Sequence, residues 1–152
     1  MIHRSATGPT RRQALGGLIA SPALLLASSR ADAADDLQAA IDDATRRGLS
    51  YRLPQGVAAT RPLNLPEGAH LVGARGGSTL RLAGSGPLLR AGRAARIRIE
   101  GVTLEGSGRD EFDGGLAHFH EIPRLTVENC QIVGAARDGL RLLNRAGDVS
   151  CK

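Results

Sequence analysis

Aromatic side chains are almost absent from this chain. Its 152 residues include no tryptophan, one tyrosine and two phenylalanines. Proteins that bind single-stranded nucleic acid without sequence preference stack the bases on aromatic rings. The scarcity of rings therefore argues against a nucleic-acid partner, although the formal net charge is +5, and it also weakens the case for sugar subsites built on stacking.

Cysteines and catalytic motifs are scarce as well. The two cysteines, Cys130 and Cys151, form no Cys-x-x-Cys pair, so they do not provide the ligand spacing of a structural zinc site. The chain also contains no P-loop, no dinucleotide-binding glycine motif after a strand, no Gly-x-Ser-x-Gly elbow and no His-Glu-x-x-His. These absences argue against the nucleotide-dependent and hydrolytic enzymes that those motifs mark.

The first 33 residues have the pattern of an export signal. A basic opening precedes the apolar run "LIASPALLLA", and "ADA" supplies an A-x-A cleavage site. The segment "TRRQAL", with Arg11 and Arg12, resembles the twin-arginine motif read by the machinery that exports folded proteins; an ordinary secretory signal is the alternative. The apolar run is too short, and too interrupted by its Ser-Pro pair, for a membrane-spanning helix. Removal of residues 1–33 takes away four arginines and one aspartate, which lowers the net charge from +5 to +2.

The mature chain, expected to begin near Ala34 in the periplasm or outside the cell, opens with "DDLQAAIDDATRRG". Its apolar residues recur at helical spacing, Asp35 or Asp36 would provide the N-cap, and Gly48 would end the helix. The pattern predicts an amphipathic helix over residues 34–48, with one apolar face to pack against another element.

A repeat follows the helix. The segment "IRIEGVTLEG", from Ile97, returns as "LTVENCQIVG", from Leu125, and starts again as "VSCK", from Val149. The copies begin 28 and 24 residues apart, and Leu116 and Leu140 are also 24 residues apart. Short strands with apolar residues on one side, repeated at this spacing, are typical of a solenoid.

The sequence therefore predicts an all-β solenoid, a right-handed single-stranded parallel β-helix, whose first coils occupy residues 49–152 behind a capping helix. The last copy stops in mid-strand at Lys152. Because solenoids need a terminal cap, we expect the chain to be an incomplete part of a longer protein; a small complete domain is the alternative. The repeat places Cys130 level with Val102, and Cys151 level with Val127, which favours small buried hydrophobic side chains over a disulfide.

The segments "YRLPQG", "LNLPEGAHLVG" and "GL…LTVENCQI" resemble the N-terminal end of pectin-lyase-like right-handed β-helix proteins. Joined to the twin-arginine signal, they resemble more narrowly a family of twin-arginine-translocated repeat proteins of uncharacterised activity. The resemblance implies a β-helix fold, a twin-arginine translocation partner and a location in the periplasm or outside the cell.

A lengthened turn carries the candidate catalytic residues. Asp110, Glu111 and Asp113 lie in "SGRDEFDGG", between the strands that begin at Ile97 and Leu125. A polysaccharide lyase, epimerase or glycosidase could use such acids as a base or a carboxylate pair, with calcium neutralising a uronate. A solvated loop is the competing interpretation, and no cofactor is otherwise evident.

A series of arginines supplies the candidate substrate-binding residues. Arg90, Arg93, Arg96 and Arg98 follow one another without an intervening acid, so one side of the early coils would attract an anionic polysaccharide. The alternative is a solvated strand face, since Arg96 and Arg98 alternate with isoleucines.

The histidines and one asparagine complete the candidates. His118 is level with Leu142 in the repeat and is expected near the core, and His120 shares its strand face. His70 is expected to point outward and receives no role. Asn129 takes the place of Gly101 at a bend, which indicates a left-handed backbone conformation there.

These observations leave three functional hypotheses. The first is an exported, non-enzymatic protein that binds envelope or anionic polysaccharide. The second is a carbohydrate-active enzyme that uses the acidic turn, by analogy of fold alone. The third is a non-functional fragment with an open strand edge.

Overall fold

The computed structural model describes residues 25–108, 115–143 and 148–151. Arg11 and Arg12 of the predicted export signal lie outside these ranges, as do Asp110, Glu111 and Asp113. One helix is described, α1 (Leu25–Arg46). The strands of the described residues are β1 (Tyr51–Arg52), β2 (Gly56–Thr60), β3 (Leu63–Asn64), β4 (His70–Val72), β5 (Ser78–Leu82), β6 (Leu89–Gly92), β7 (Arg96–Glu100), β8 (Val102–Glu105), β9 (Ala117–His120), β10 (Arg124–Glu128), β11 (Gln131–Val133), β12 (Leu140–Leu143) and β13 (Asp148–Cys151).

The strands form three stacked parallel sheets, each of which gains one strand per turn of the chain. Sheet 1 has the order β1-β4-β7-β10-β13, sheet 2 the order β2-β5-β8-β11, and sheet 3 the order β3-β6-β9-β12. Every strand pair is parallel. This arrangement confirms the predicted all-β solenoid with a helix at its N-terminal side.

The register of sheet 1 agrees with the sequence repeat. Ile97 pairs with Leu125, and Leu125 pairs with Val149. Sheet 3 differs from the prediction by one residue, because Ala117 rather than Leu116 lies opposite Leu140. Eleven residues separate β8 from β9, whereas six separate β11 from β12, so the two connections differ by five residues rather than by the four that the sequence repeat predicts.

Aliphatic columns fill the space between the sheets. Leu71, Ile99 and Val127 stack in successive coils of sheet 1, and all three are buried. Phe119 of sheet 3 is fully buried, and it stacks between Ala91 and Leu142. Inward apolar residues alternate with outward polar ones along β7, β8 and β10, as expected for strands that bury one face.

Helix α1 is longer than predicted. It begins at Leu25, so Asp35 and Asp36 lie inside it and the predicted N-cap is wrong. The segment "LLASSRADAADD" lacks glycine and proline and is rich in alanine and leucine, which explains why the helix continues through it. The predicted end at Gly48 is confirmed: Gly48 has φ +68°, and the amides of Gly48 and Leu49 donate to the carbonyls of Thr45 and Ala44 in a Schellman motif.

The helix covers the first coil. Leu37 and Ile41 are buried in the common core, which removes the first apolar layer from water. The Gln38 side chain forms hydrogen bonds with the backbone at the open edge of β3. Its Nε2 donates to the carbonyl oxygen of Asn64 and its Oε1 accepts from the Asn64 amide, both at 2.8 Å. An amide side chain therefore replaces the missing neighbouring strand at this residue.

We expect Gln38→Glu to lower the free energy of unfolding by about 1–2 kcal/mol at neutral pH, because a carboxylate accepts hydrogen bonds but cannot donate to the Asn64 carbonyl. Urea unfolding followed by circular dichroism measures the change. Gln131→Glu, at an exposed strand position, makes the same chemical change away from the helix and should cost much less. Equal effects of the two variants would contradict the edge-capping role of Gln38.

The bend between sheets 1 and 2 has the predicted backbone conformation. Gly101 has φ +63° and Asn129 has φ +52° at equivalent positions of two coils. Asparagine tolerates this left-handed region better than most residues, so its exchange with glycine is explained by the bend.

The two cysteines are free, in agreement with the prediction. Cys130 packs against the core, and burial raises the pKa of its thiol. Cys151 is exposed, so its predicted burial is wrong: the described residues provide no further coil over it. Within the described residues, no helix is both long and apolar enough to span a lipid bilayer.

Candidate functional site

The four predicted substrate-binding arginines do not form one cluster. Arg96 and Arg98 lie on β7, on the outer face of sheet 1, whereas Arg90 lies on β6 of sheet 3. Arg93 occupies the corner between the two sheets with φ +54°, and its Nε lies 3.5 Å from Oε2 of Glu121. The predicted arginines therefore belong to two separate surfaces, one on sheet 1 and one on sheet 3.

On sheet 1, a serine, a histidine and a glutamate form a hydrogen-bonded chain. The Oγ of Ser50 lies 2.6 Å from Nδ1 of His70, and Nε2 of His70 lies 2.9 Å from Oε1 of Glu100. Ser50 follows the Schellman motif of α1, His70 opens β4, and Glu100 ends β7. We call this arrangement the Ser50–His70–Glu100 relay.

The direction of the hydrogen bonds follows from the chemistry of the groups. An ionised carboxylate only accepts hydrogen bonds, so Nε2 of His70 carries the proton that is donated to Glu100. In the neutral imidazole the other nitrogen then accepts, and Nδ1 takes a hydrogen bond from the Ser50 hydroxyl. The geometry thus places a base against a serine and a carboxylate behind the base.

Arg98 holds the carboxylate end of the relay. Its Nε forms an ion pair with Oε1 of Glu100, and its second guanidinium nitrogen lies 3.5 Å from Oε2 of Glu128. Glu100 and Glu128 are directly opposite each other in neighbouring strands, where like charges repel. The guanidinium between them offsets that repulsion and fixes the orientation of Glu100.

A pocket of about 360 Å³ opens beside the serine. We call it the cap pocket, because it lies where the end of α1 meets sheet 1; its lining residues are Thr45, Gly48, Leu49, Ser50, Gly68, Ala69, His70, Arg96 and Arg98. Arg96 is exposed, and among the described residues no carboxylate forms an ion pair with it. The pocket therefore combines a polarised hydroxyl with a cationic wall.

Sequence reasoning did not find this site. It placed His70 on the outer face, which the structure confirms, but gave it no role, and it did not consider Ser50 or Glu100. Strand alternation alone could have placed His70, Arg98 and Glu100 on one surface. The position of Ser50 depends on how the helix cap directs the chain, which no local pattern encodes.

On sheet 3, a second surface is also basic. Arg90 pairs with His118, and His118 pairs with Arg141, so cationic or titratable side chains follow one another on the outer face in three coils. Arg90 and His118 border a groove of about 440 Å³, which we call the basic groove and which is lined by Asn64, Leu65, Arg90, Ala91, Gly92, His118 and His120. Arg141 lies in the next coil, where its Nη1 is 4.0 Å from Oδ2 of Asp138. Nε of Arg90 donates to Oδ1 of Asn64, a neutral partner, and no carboxylate of the described residues forms an ion pair with Arg90.

The position of His118 corrects the sequence prediction. It was expected level with Leu142, near the core, but it lies opposite Arg141, and Phe119 occupies the core position opposite Leu142. The one-residue change of register in sheet 3 turns His118 outward. His120 lies on the same face, as predicted.

The predicted catalytic acids Asp110, Glu111 and Asp113 fall in the segment between the described ranges. The ends of that segment are held by the following coil: the Gly108 amide donates to the Gly134 carbonyl, and the Leu116 amide to the Asp138 carbonyl. Within the described ranges, no group of three or more His, Cys, Asp or Glu side chains is placed to hold a metal ion. A calcium site on the turn stays a prediction.

Comparisons of the chain with models of protein families, with curated proteins and with solved structures found no match.

Proposed function

We propose that this protein is an exported β-solenoid of the periplasm that binds an anionic polysaccharide in the basic groove. The twin-arginine pair Arg11 and Arg12, and the resemblance to twin-arginine-translocated repeat proteins, are the basis for the proposed route of export. The observation that carries the binding proposal is the alignment of Arg90, His118 and Arg141 in successive coils of sheet 3.

The repeat distance of the solenoid suits a polymeric ligand. Neighbouring parallel strands lie about 4.8 Å apart, so the aligned side chains repeat at regular intervals along the solenoid axis. A polyuronate carries one carboxylate per sugar and can contact more than one coil at once, which multiplies weak single contacts. Because none of the described residues that line the groove is Phe, Tyr or Trp, recognition would depend mainly on charge and hydrogen bonding.

Arg90 is the central group of this proposal. Its guanidinium offers several donors in one plane, the geometry that suits a carboxylate. The amide oxygen of Asn64 accepts a hydrogen bond from one of these donors and orients the side chain, and Arg90 lines the groove. Arg90 is exposed, so a ligand can reach it without rearrangement of the core.

The proposal is tested by measuring binding to polygalacturonate and to uncharged dextran by calorimetry. We expect binding of polygalacturonate only, weakened by added salt because the attraction between exposed charges is screened. Arg90→Gln should reduce the affinity about tenfold, the loss of one charge-assisted hydrogen bond.

Arg75→Gln is the matched control, since Arg75 is an exposed arginine in the turn between β4 and β5 and its replacement removes the same charge. It should leave the affinity nearly unchanged. Absence of binding to any polyanion, or an equal loss in both variants, would refute binding in the basic groove.

A further inference from the structure

We propose that the cap pocket is a serine esterase site, in which Ser50 is the nucleophile and His70 the general base. Its substrates would be esters that carry a nearby anionic group. This proposal rests on the geometry of sheet 1 and is independent of the basic groove, which lies on sheet 3.

The relay has the connectivity that activates a serine. A hydroxyl is a weak nucleophile unless a base within hydrogen-bond reach accepts its proton. Nδ1 of His70 lies 2.6 Å from Oγ of Ser50, and Glu100, 2.9 Å from the opposite ring nitrogen, favours the tautomer in which Nδ1 is unprotonated. Glu100 is a positioning residue that also stabilises the imidazolium formed during reaction.

Ester hydrolysis at Ser50 needs water as its only co-reactant. Oγ of Ser50 forms a bond to the ester carbonyl carbon while its proton moves to Nδ1 of His70. The tetrahedral intermediate collapses, the bond to the alkoxy oxygen breaks, and the alcohol leaves with the proton from His70. Water, deprotonated by His70, then attacks the acyl-serine, and the carboxylic acid is released with Ser50 regenerated.

The pocket provides space and charge for such a substrate. Ser50 is exposed, and the pocket beside it holds about 360 Å³, enough for a small acyl group and part of its alcohol. Arg98 is engaged by Glu100 and Glu128, whereas Arg96 lines the same pocket without an ion pair to any described carboxylate. Arg96 is therefore the group that would bind an anionic substituent.

Hydrolysis by the 152-residue protein tests the proposal with two chromogenic substrates, 4-nitrophenyl acetate and the anionic 4-nitrophenyl monosuccinate. We expect faster turnover of the monosuccinate, and covalent labelling of Ser50 by a fluorophosphonate, located by peptide mass spectrometry. Ser50→Ala and His70→Gln should each lower kcat/KM at least about 100-fold. Ser85→Ala removes an exposed serine from a distant turn and should change nothing.

Two further variants separate catalysis from a structural role of the same hydrogen bonds. Glu100→Gln should lower kcat and leave KM nearly unchanged, because Glu100 acts through His70 and does not touch substrate. Arg96→Gln should raise KM for the monosuccinate about tenfold and leave the acetate unaffected. Arg124→Gln, one coil farther along the same column and outside the pocket lining, should affect neither substrate.

The proposal fails if the protein hydrolyses neither ester above the rate of buffer, if the label lies on another serine, or if Ser50→Ala retains activity. Thermal melting of each variant shows whether it is folded. A folded Ser50→Ala variant with unchanged turnover would assign the relay to the attachment of the helix to sheet 1.

Discussion

Replacing Phe119 with alanine is expected to lower the free energy of unfolding by about 3–5 kcal/mol. The ring is fully buried, and it stacks in sheet 3 between Ala91 and Leu142. The small alanine in the preceding coil leaves the space that the ring fills, so its removal opens a cavity that the stacked backbone cannot close. Since domains of this size are stable by about 5–15 kcal/mol, the loss is a large fraction of the total.

Urea unfolding at fixed temperature measures this loss. Phe119→Leu keeps most of the apolar volume and should cost about 1 kcal/mol. Val57→Ala shortens a side chain that is 57% exposed, and it should change the stability by less than about 0.5 kcal/mol. A loss below about 1 kcal/mol for Phe119→Ala would show that the ring does not fill the core of sheet 3.

The regular part of the solenoid could be predicted from the sequence because hydrophobic alternation and register are linked there. Ile97 and Leu125 begin identical patterns, and a shift of one residue would expose every buried side chain of β10. Sheet 3 lacks this constraint. The turns that precede its strands differ in length. The sequence repeat therefore aligns Leu116 with Leu140, whereas in the structure Leu140 lies opposite Ala117, one residue away.

The candidate sites could be predicted only in part for a related reason. The outward direction of Arg98 and His70 follows from strand alternation, and both lie on the outer face. Ser50 lies next to His70 because the Schellman motif at the end of α1 directs the chain onto sheet 1. The division of the predicted arginines between two faces likewise follows from the corner at Arg93. There the left-handed residue is Arg93 itself and not the neighbouring Gly92, so the sequence does not show where the chain turns.

The two proposed sites use the solenoid in different ways. The basic groove repeats one kind of side chain along the stacking direction, which suits a polymer. The relay instead joins three different side chains, from the end of the helix and from two successive coils, into one hydrogen-bonded chain, which suits a localised reaction. A failure of glycan binding would therefore leave the esterase proposal standing, and a failure of hydrolysis would leave the glycan proposal standing.

The second large effect is expected at Gly73, where two coils approach each other closely. A Cβ atom at this position would lie 1.9 Å from the carbonyl oxygen of Gly101. The Gly73 amide also donates to the carbonyl of Glu100 at 2.8 Å, so the contact is between two backbones and no side chain can rotate away. Gly73→Ala must therefore separate the coils at this corner, and we expect a loss of about 3 kcal/mol in the free energy of unfolding.

Gly92→Ala is the matched control, because the Cβ atom would lie 3.9 Å from the nearest atom, the carbonyl oxygen of His120, and Gly92 does not have a positive φ. It should be neutral or slightly stabilising, since alanine restricts the unfolded chain.

Displacement of the Glu100 backbone by Gly73→Ala should also slow fluorophosphonate labelling of Ser50 under conditions in which the variant remains folded. A variant that unfolds more easily but labels at the normal rate would mean that the relay does not depend on the stacking at this corner, whereas full stability would contradict the close approach of Gly73 and Gly101 itself.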